Sequence, residues 1–174
     1  MTMTLSGDGT ITGLTAGGLP DGSITQAEIA SGVAGKGPAF SAYASASQVI
    51  TSATYTKLQI QTEEFDTNSN YNTSTYRFTP TVAGYYQVSG GMGWYSPGTQ
   101  SIEFVTIYKN GGIFKHLNYL NLNTSGVLAG SALIYLNGTT DYVELYGYVS
   151  STNTITVQGN QAQTYFQACL VRAA

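Results

Sequence analysis

From Pro38 onward the chain consists of short runs in which apolar and polar positions alternate with a period of two, interrupted by Gly, Asn, Asp, Ser and Pro. Such runs are strands whose two faces meet different surroundings. The clearest is 86–94, with Tyr86, Val88, Met92 and Trp94 on one face and Gln87, Ser89, Gly91 and Gly93 on the other. The glycines predict close approach of another strand or subunit. Further strands are predicted over 57–61, 103–108, 114–119, 127–136 and 142–149. In the last, Val143, Leu145 and Val149 face the core, while Tyr142, Glu144, Tyr146 and Tyr148 face away. Turns fall at 109–112, where Asn110-Gly111 favours positive φ, and at 137–141. Phe78, Tyr86, Trp94 and Phe166 are the expected core aromatics.

Residues 1–37 differ in kind. Nine glycines separate isolated apolar points at Leu5, Ile11, Leu14, Leu19, Ile24 and Ile29, too sparse for a core. Thr25-Gln26-Ala27-Glu28 fits a capping box and predicts a helical turn over 27–30. Two readings stand for this segment: a spacer, or an attachment arm ordered against its own copies or a larger particle. The regular apolar points favour the arm. The segment also resembles the short Gly-rich N-termini of phage tail and virion proteins.

Residues 76–88 carry F-x-x-x-V-x-G-x-Y-x-V through Phe78, Val82, Gly84, Tyr86 and Val88. This spacing resembles the central signature of the C1q-like domain, of the C1q and tumour-necrosis-factor superfamily. Further anchors follow in order: Pro38-Ala39-Phe40-Ser41-Ala42 resembles the family's opening strand, Lys109-Asn110-Gly111 its hairpin, and Tyr165 to Val171 its closing F-x-G-x-L strand, with Ala168 for Gly. Leu136, Gly138, Asp141, Val143 and Leu145 match L-x-x-G-D-x-V-x-L apart from two inserted residues, Thr139 and Thr140. The resemblance covers about residues 38–172. It implies an all-β, ten-stranded jelly-roll sandwich assembled as a homotrimer, with first and last strands adjacent at its base. The expected division is 1–37, attachment arm, and 38–174, head domain.

Charged residues make up 9% of the 174, against roughly a quarter in ordinary soluble chains. Faces so poor in charge are suited to burial in an assembly or to broad hydrogen bonding. The formal charge of −3 and six scattered basic residues argue against a nucleic-acid partner, which needs clustered Lys and Arg. No apolar run is long enough for membrane insertion, and the first residues carry no secretory signal pattern. Cys169, the single cysteine, excludes an internal disulfide framework and reads as a structural thiol.

Catalytic chemistry has little to work with. His116 is the single histidine, and its surroundings are an ordinary hairpin strand. Glu63 and Glu64 are adjacent on a strand and point to opposite faces, so they cannot flank one bond. Asp66 to Asn70 begins like a calcium loop, but Tyr71 stands where Gly is needed and Arg77 where the bidentate Glu belongs. No enzyme, metal or cofactor is expected. The fourteen tyrosines supply stiff, half-polar contact area. Tyr142, Tyr146 and Tyr148 are the expected trimer interface. Among tyrosines near turns (Tyr55, Tyr71, Tyr95, Tyr119), Tyr71 and Tyr95 are the first candidates for ligand contact, on loops 66–75 and 95–100.

These observations predict a homotrimeric phage virion component, a short tail fibre or fibre tip made in the host cytoplasm and displayed on the particle exterior. Its head binds a host-surface glycan or protein, and residues 1–37 bind other virion proteins. The alternatives are a capsid decoration, head-fibre or collar protein with a purely structural role, and a bacterial secreted adhesin or spore-coat protein.

Overall fold

The computed structural model describes residues 36–121 and 123–174, together with the backbone of two short strands, β1 (Thr4–Leu5) and β2 (Ile11–Thr12). The chain divides into two compact units, Met1–Ala30 and Ser31–Ala174. In the first, β1 and β2 pair antiparallel, Leu5 opposite Ile11. The helical turn expected at 27–30 lies outside the described residues.

The second unit is an all-β jelly roll, as expected. Its strands are β3 (Ala39–Tyr43), β4 (Gln48–Ile50), β5 (Thr56–Lys57), β6 (Thr62–Asp66), β7 (Tyr71–Asn72), β8 (Arg77–Phe78), β9 (Gly84–Tyr95), β10 (Gln100–Lys109), β11 (Gly112–Leu120), β12 (Gly126–Leu136), β13 (Val143–Ser151), β14 (Ile155–Val157) and β15 (Tyr165–Ala173). One sheet runs β4-β14-β9-β15-β3-β6 with β12 also paired to β9; the other runs β11-β10-β13-β8-β7 with β5 on β13. All pairings are antiparallel, so the alternation in the sequence becomes one core face and one outer face per sheet.

Between the sheets lie Phe78, Tyr86, Trp94 and Phe166, all buried. Phe40 stacks on Tyr71 and on Phe78, each at 4.6 Å, and meets Phe166 edge-on at 5.1 Å. Two core aromatics have their polar tips satisfied: Tyr86 donates to Val82 O at 2.7 Å, and Trp94 Nε1 to Gln100 Oε1. On β9 the glycines are used as the pattern suggests. A Cβ at Gly91 would meet the Tyr165 ring at 2.5 Å, so the bare backbone lets that ring lie across the strand.

The strand predicted over 57–61 is not one strand. Lys57 still pairs with β13, and Leu58 N–H bonds Leu145 O, but Gln59 N–H turns to the Gln48 side chain and β6 then pairs with β3 in the opposite sheet. Leu58 and Ile60 are both buried because the backbone crosses the core between sheets here. Alternating burial had the same appearance as a ladder.

Both turns explain themselves. Asn110 and Gly111 have φ of 53° and 82°, the geometry of a tight hairpin whose twist suits its strands. The inserted Thr139 and Thr140 are absorbed by Asn137, whose Oδ1 accepts the amides of Thr139, Thr140 and Asp141 at 2.9–3.0 Å. Asp141 in turn holds Lys109 Nζ at 2.9 Å and Asn110 Nδ2 at 2.7 Å, pinning the β12–β13 loop to the β10–β11 turn.

Candidate binding faces

The two sheets present outer faces of different chemistry, and the strand registers lay them out in rows. Across β3, β15, β9 and β12 the rows are Tyr43-Tyr165-Gly91-Ala129, then Ser41-Gln167-Ser89-Ser131, then Ala39-Cys169-Gln87-Leu133. Tyr85 and Tyr135 continue them opposite each other, rings 5.5 Å apart. None of these residues is charged. Leu133 and Val171 are each about half exposed and with Tyr85 and the charged Arg172 line an open hollow of about 600 Å³. Phe65 at the β6 edge is also half exposed.

Across β11, β10 and β13 the rows are aromatic. Tyr119, Phe104 and Tyr148 form one; His116, Thr106 and Tyr146 the next, continued by Lys57 of β5; Ile113, Tyr108, Glu144 and Arg77 a third. Tyr108 stacks on Tyr146 at 3.7 Å, Tyr55 lies 4.9 Å from Tyr148, and Phe104 is 5.0 Å from Tyr119. His116 takes its place here as a strand residue, Nδ1 2.9 Å from Thr106 Oγ1 and its ring 4.6 Å from Phe104. Burial pushes the phenols of Tyr55, Tyr108 and Tyr146 above their usual value, and for Tyr146 the nearby Glu144 charge adds to it. At neutral pH these hydroxyls remain donors.

One edge of the aromatic face holds a charge cluster. Glu144, with 2% of its side chain exposed, accepts Lys57 Nζ at 2.9 Å, Arg77 Nη2 at 3.0 Å and Arg77 Nε at 3.1 Å, all on Oε1. The Arg77 guanidinium also lies 3.6 Å over the Tyr142 ring, a cation–π contact. Sequence reasoning missed this cluster. The available signal was an acid set among outward tyrosines on a strand, since a carboxylate there must find cationic partners to be buried.

The expected ligand tyrosines part company. Tyr95 is 54% exposed at the end of β9. Tyr71 is not a loop-tip contact: it is 6% exposed, stacked on Phe40, with its hydroxyl on Ile60 O at 2.9 Å. The short β7–β8 ladder tucks that ring beneath the Asn-rich loop. Tyr142, Tyr146 and Tyr148, the expected trimer interface, are half-buried, covered in part by Arg77, Tyr108 and Tyr55 of the same chain. Glu64 accepts from Ser41 Oγ and Gln161 Nε2, whereas Asp66 accepts the amides of Asn68 and Tyr71. The two carboxylates therefore serve separate local structures. Cys169 is exposed on the β3–β15–β9–β12 face. Among the described residues no three His, Cys, Asp or Glu side chains gather as a metal site would require.

No family model matches the sequence, and no curated protein does. Solved structures do match. The globular domain of zebrafish complement 1qA aligns at 15% identity and TM-score 0.55, covering 79% of this chain and 100% of that one. Murine APRIL aligns at 9% and 0.55, covering 77% and 98%. Eiger TNF from S. frugiperda aligns at 10% and 0.54, covering 79% and 92%. The chain has the jelly-roll fold that C1q and tumour-necrosis-factor domains share.

Proposed function

We propose that this chain is a non-enzymatic, homotrimeric phage virion component, a short tail fibre or fibre tip whose jelly-roll head binds a host-surface glycan or protein. The β3–β15–β9–β12 faces of three copies pack around the threefold axis, and the aromatic faces point outward. Residues 1–37 join the head to other virion proteins, and the protein is made in the host cytoplasm and displayed on the particle exterior. The virion reading rests on the Gly-rich leader and the scarcity of charge.

The observation that carries the binding role is the unequal dressing of the two faces. Half-exposed Leu133 and Val171, on a face whose charges are limited to Arg172 beside the hollow and Glu64 beside Ser41 among the described residues, call for a protein partner that excludes water. Stacked tyrosines with protonated hydroxyls instead suit a partner that brings both flat apolar surface and hydrogen-bonding groups, as a sugar ring does. A glycan array probed with the full-length protein tests this. Discrete hits that weaken with Tyr119→Ala support a receptor binder, and silence across the array favours a purely structural decoration or collar role.

A further inference from the structure

We infer that the Arg77–Lys57 cluster is a subsite for an acidic sugar, one carrying a carboxylate, at the edge of the aromatic face. The inference rests on the receptor-binding reading and names the ligand class. Two cations share one carboxylate, so the cluster keeps one positive charge in surplus. It does so on a chain of net charge −3 in which charge of any kind is scarce. Neither cation is buried: the side chains of Lys57 and Arg77 are 32% and 35% exposed.

The geometry is fixed in advance. Arg77 gives Nε and Nη2 to Glu144 while Tyr142 supports the face of its guanidinium; Nη1 takes no part in the Glu144 contact. Lys57 Nζ reaches Glu144 Oε1 and Thr75 O, and an ammonium has three donors. A guanidinium and an ammonium held against a single oxygen present their remaining donors side by side. A carboxylate, with two oxygens and several lone pairs, accepts from both at once. Next to them the stacked pair Tyr146 and Tyr108 offers the sugar ring an aromatic surface. The buried Glu144 holds both cations through Oε1, an acceptor that a glutamine side chain would retain, and its charge tempers theirs.

Titration calorimetry on the full-length protein tests the subsite with two acidic probes, trigalacturonate and sialyllactose, and their neutral counterparts, galactotriose and lactose. At least one acidic probe is expected to bind roughly tenfold or more tightly than its neutral partner, through charge-assisted contacts. Arg77→Gln should bring it down to the neutral level. Glu144→Gln should tighten it, because removing the carboxylate enlarges the positive surplus. A merely structural cluster would weaken binding in both variants, and that result overturns the subsite. So does equal affinity for acidic and neutral probes, or no binding of either acid. If the array yields neutral glycan hits that Arg77→Gln leaves intact, receptor binding stands and the acidic subsite falls; a silent array removes the parent reading itself.

Discussion

Both outer faces of the sandwich carry large apolar side chains, but the chain covers them to different extents. On the β11–β10–β13 face the rings cover one another: Tyr55 descends on Tyr148, Tyr108 on Tyr146, and Arg77 on Tyr142. On the β3–β15–β9–β12 face Tyr85 and Tyr135 pair at 5.5 Å, while Leu133, Val171 and Phe65 stay about half in water. A strand pattern shows which residues point outward. It does not show whether the chain itself covers them, and that second property separates a surface needing a subunit from one free to take a ligand.

The largest test of this contrast is one of mass. Leu133→Asp with Val171→Asp should reduce the proposed trimer to a monomer by light scattering, since charge would enter the centre of the proposed water-excluding contact. Tyr146→Asp with Tyr148→Asp should leave the mass unchanged and lower thermal stability only. The opposite result would return the threefold axis to the tyrosine face.

Next in size is the core on which both faces rest. Phe166→Ala should cost about 3–5 kcal/mol in a denaturant melt, because that ring packs against Phe40 of the neighbouring strand and Tyr71 of the facing sheet. A loss below about 1 kcal/mol would mean the faces are supported independently. A smaller effect is expected from the self-covering rings. In a double-mutant cycle, Tyr108→Ala and Tyr146→Ala should couple by about 0.5–1.5 kcal/mol. Zero coupling would mean that water, not the neighbouring ring, is the effective partner.

The smallest effect belongs to the pin between β10 and the β12–β13 loop. Hydrogen bonds from Asn110 and Lys109 hold the Asp141 carboxyl below its usual value of 3.8. A depressed folded-state value stabilises above 3.8 and is lost as pH falls toward that lower value. Wild-type stability should therefore decline below about pH 4, and Asp141→Asn should remove that part of the decline. Identical acid limbs for both proteins would show that the pin is not energetically linked to the sheets.

How much of this was legible depends on how local the cause is. The inward set of β9 and the Asn110-Gly111 turn follow from period and φ alone. The jelly roll was readable because its anchors keep their order, and the inserted Thr139 and Thr140 hid one of them only until Asn137 was seen to cap the extra amides. Tyr71 was misread because Asn and Ser around it describe the loop's backbone, not the pocket into which Phe40 draws the ring. The partners of Glu144 cannot be read from its own strand, because the cations come from β5 and β8, remote in sequence. Contacts of that kind are set by topology rather than by neighbours along the chain.

That topology also governs time. The β3–β15 ladder places Ala39 opposite Cys169 and Tyr43 opposite Tyr165, joining residues from opposite ends of the described head. During synthesis β9 emerges with both edges open; one is covered once β12 follows, while the other waits for β15. Loops of that length close slowly, and an unpaired central strand edge invites pairing with other chains in the meantime. In a polysome the apolar part of the β3–β15–β9–β12 outer face and the open β9 edge would be presented together, by neighbouring copies of one chain. Productive assembly thus becomes a race between β15 docking onto its own β9 and capture of that edge by a neighbour.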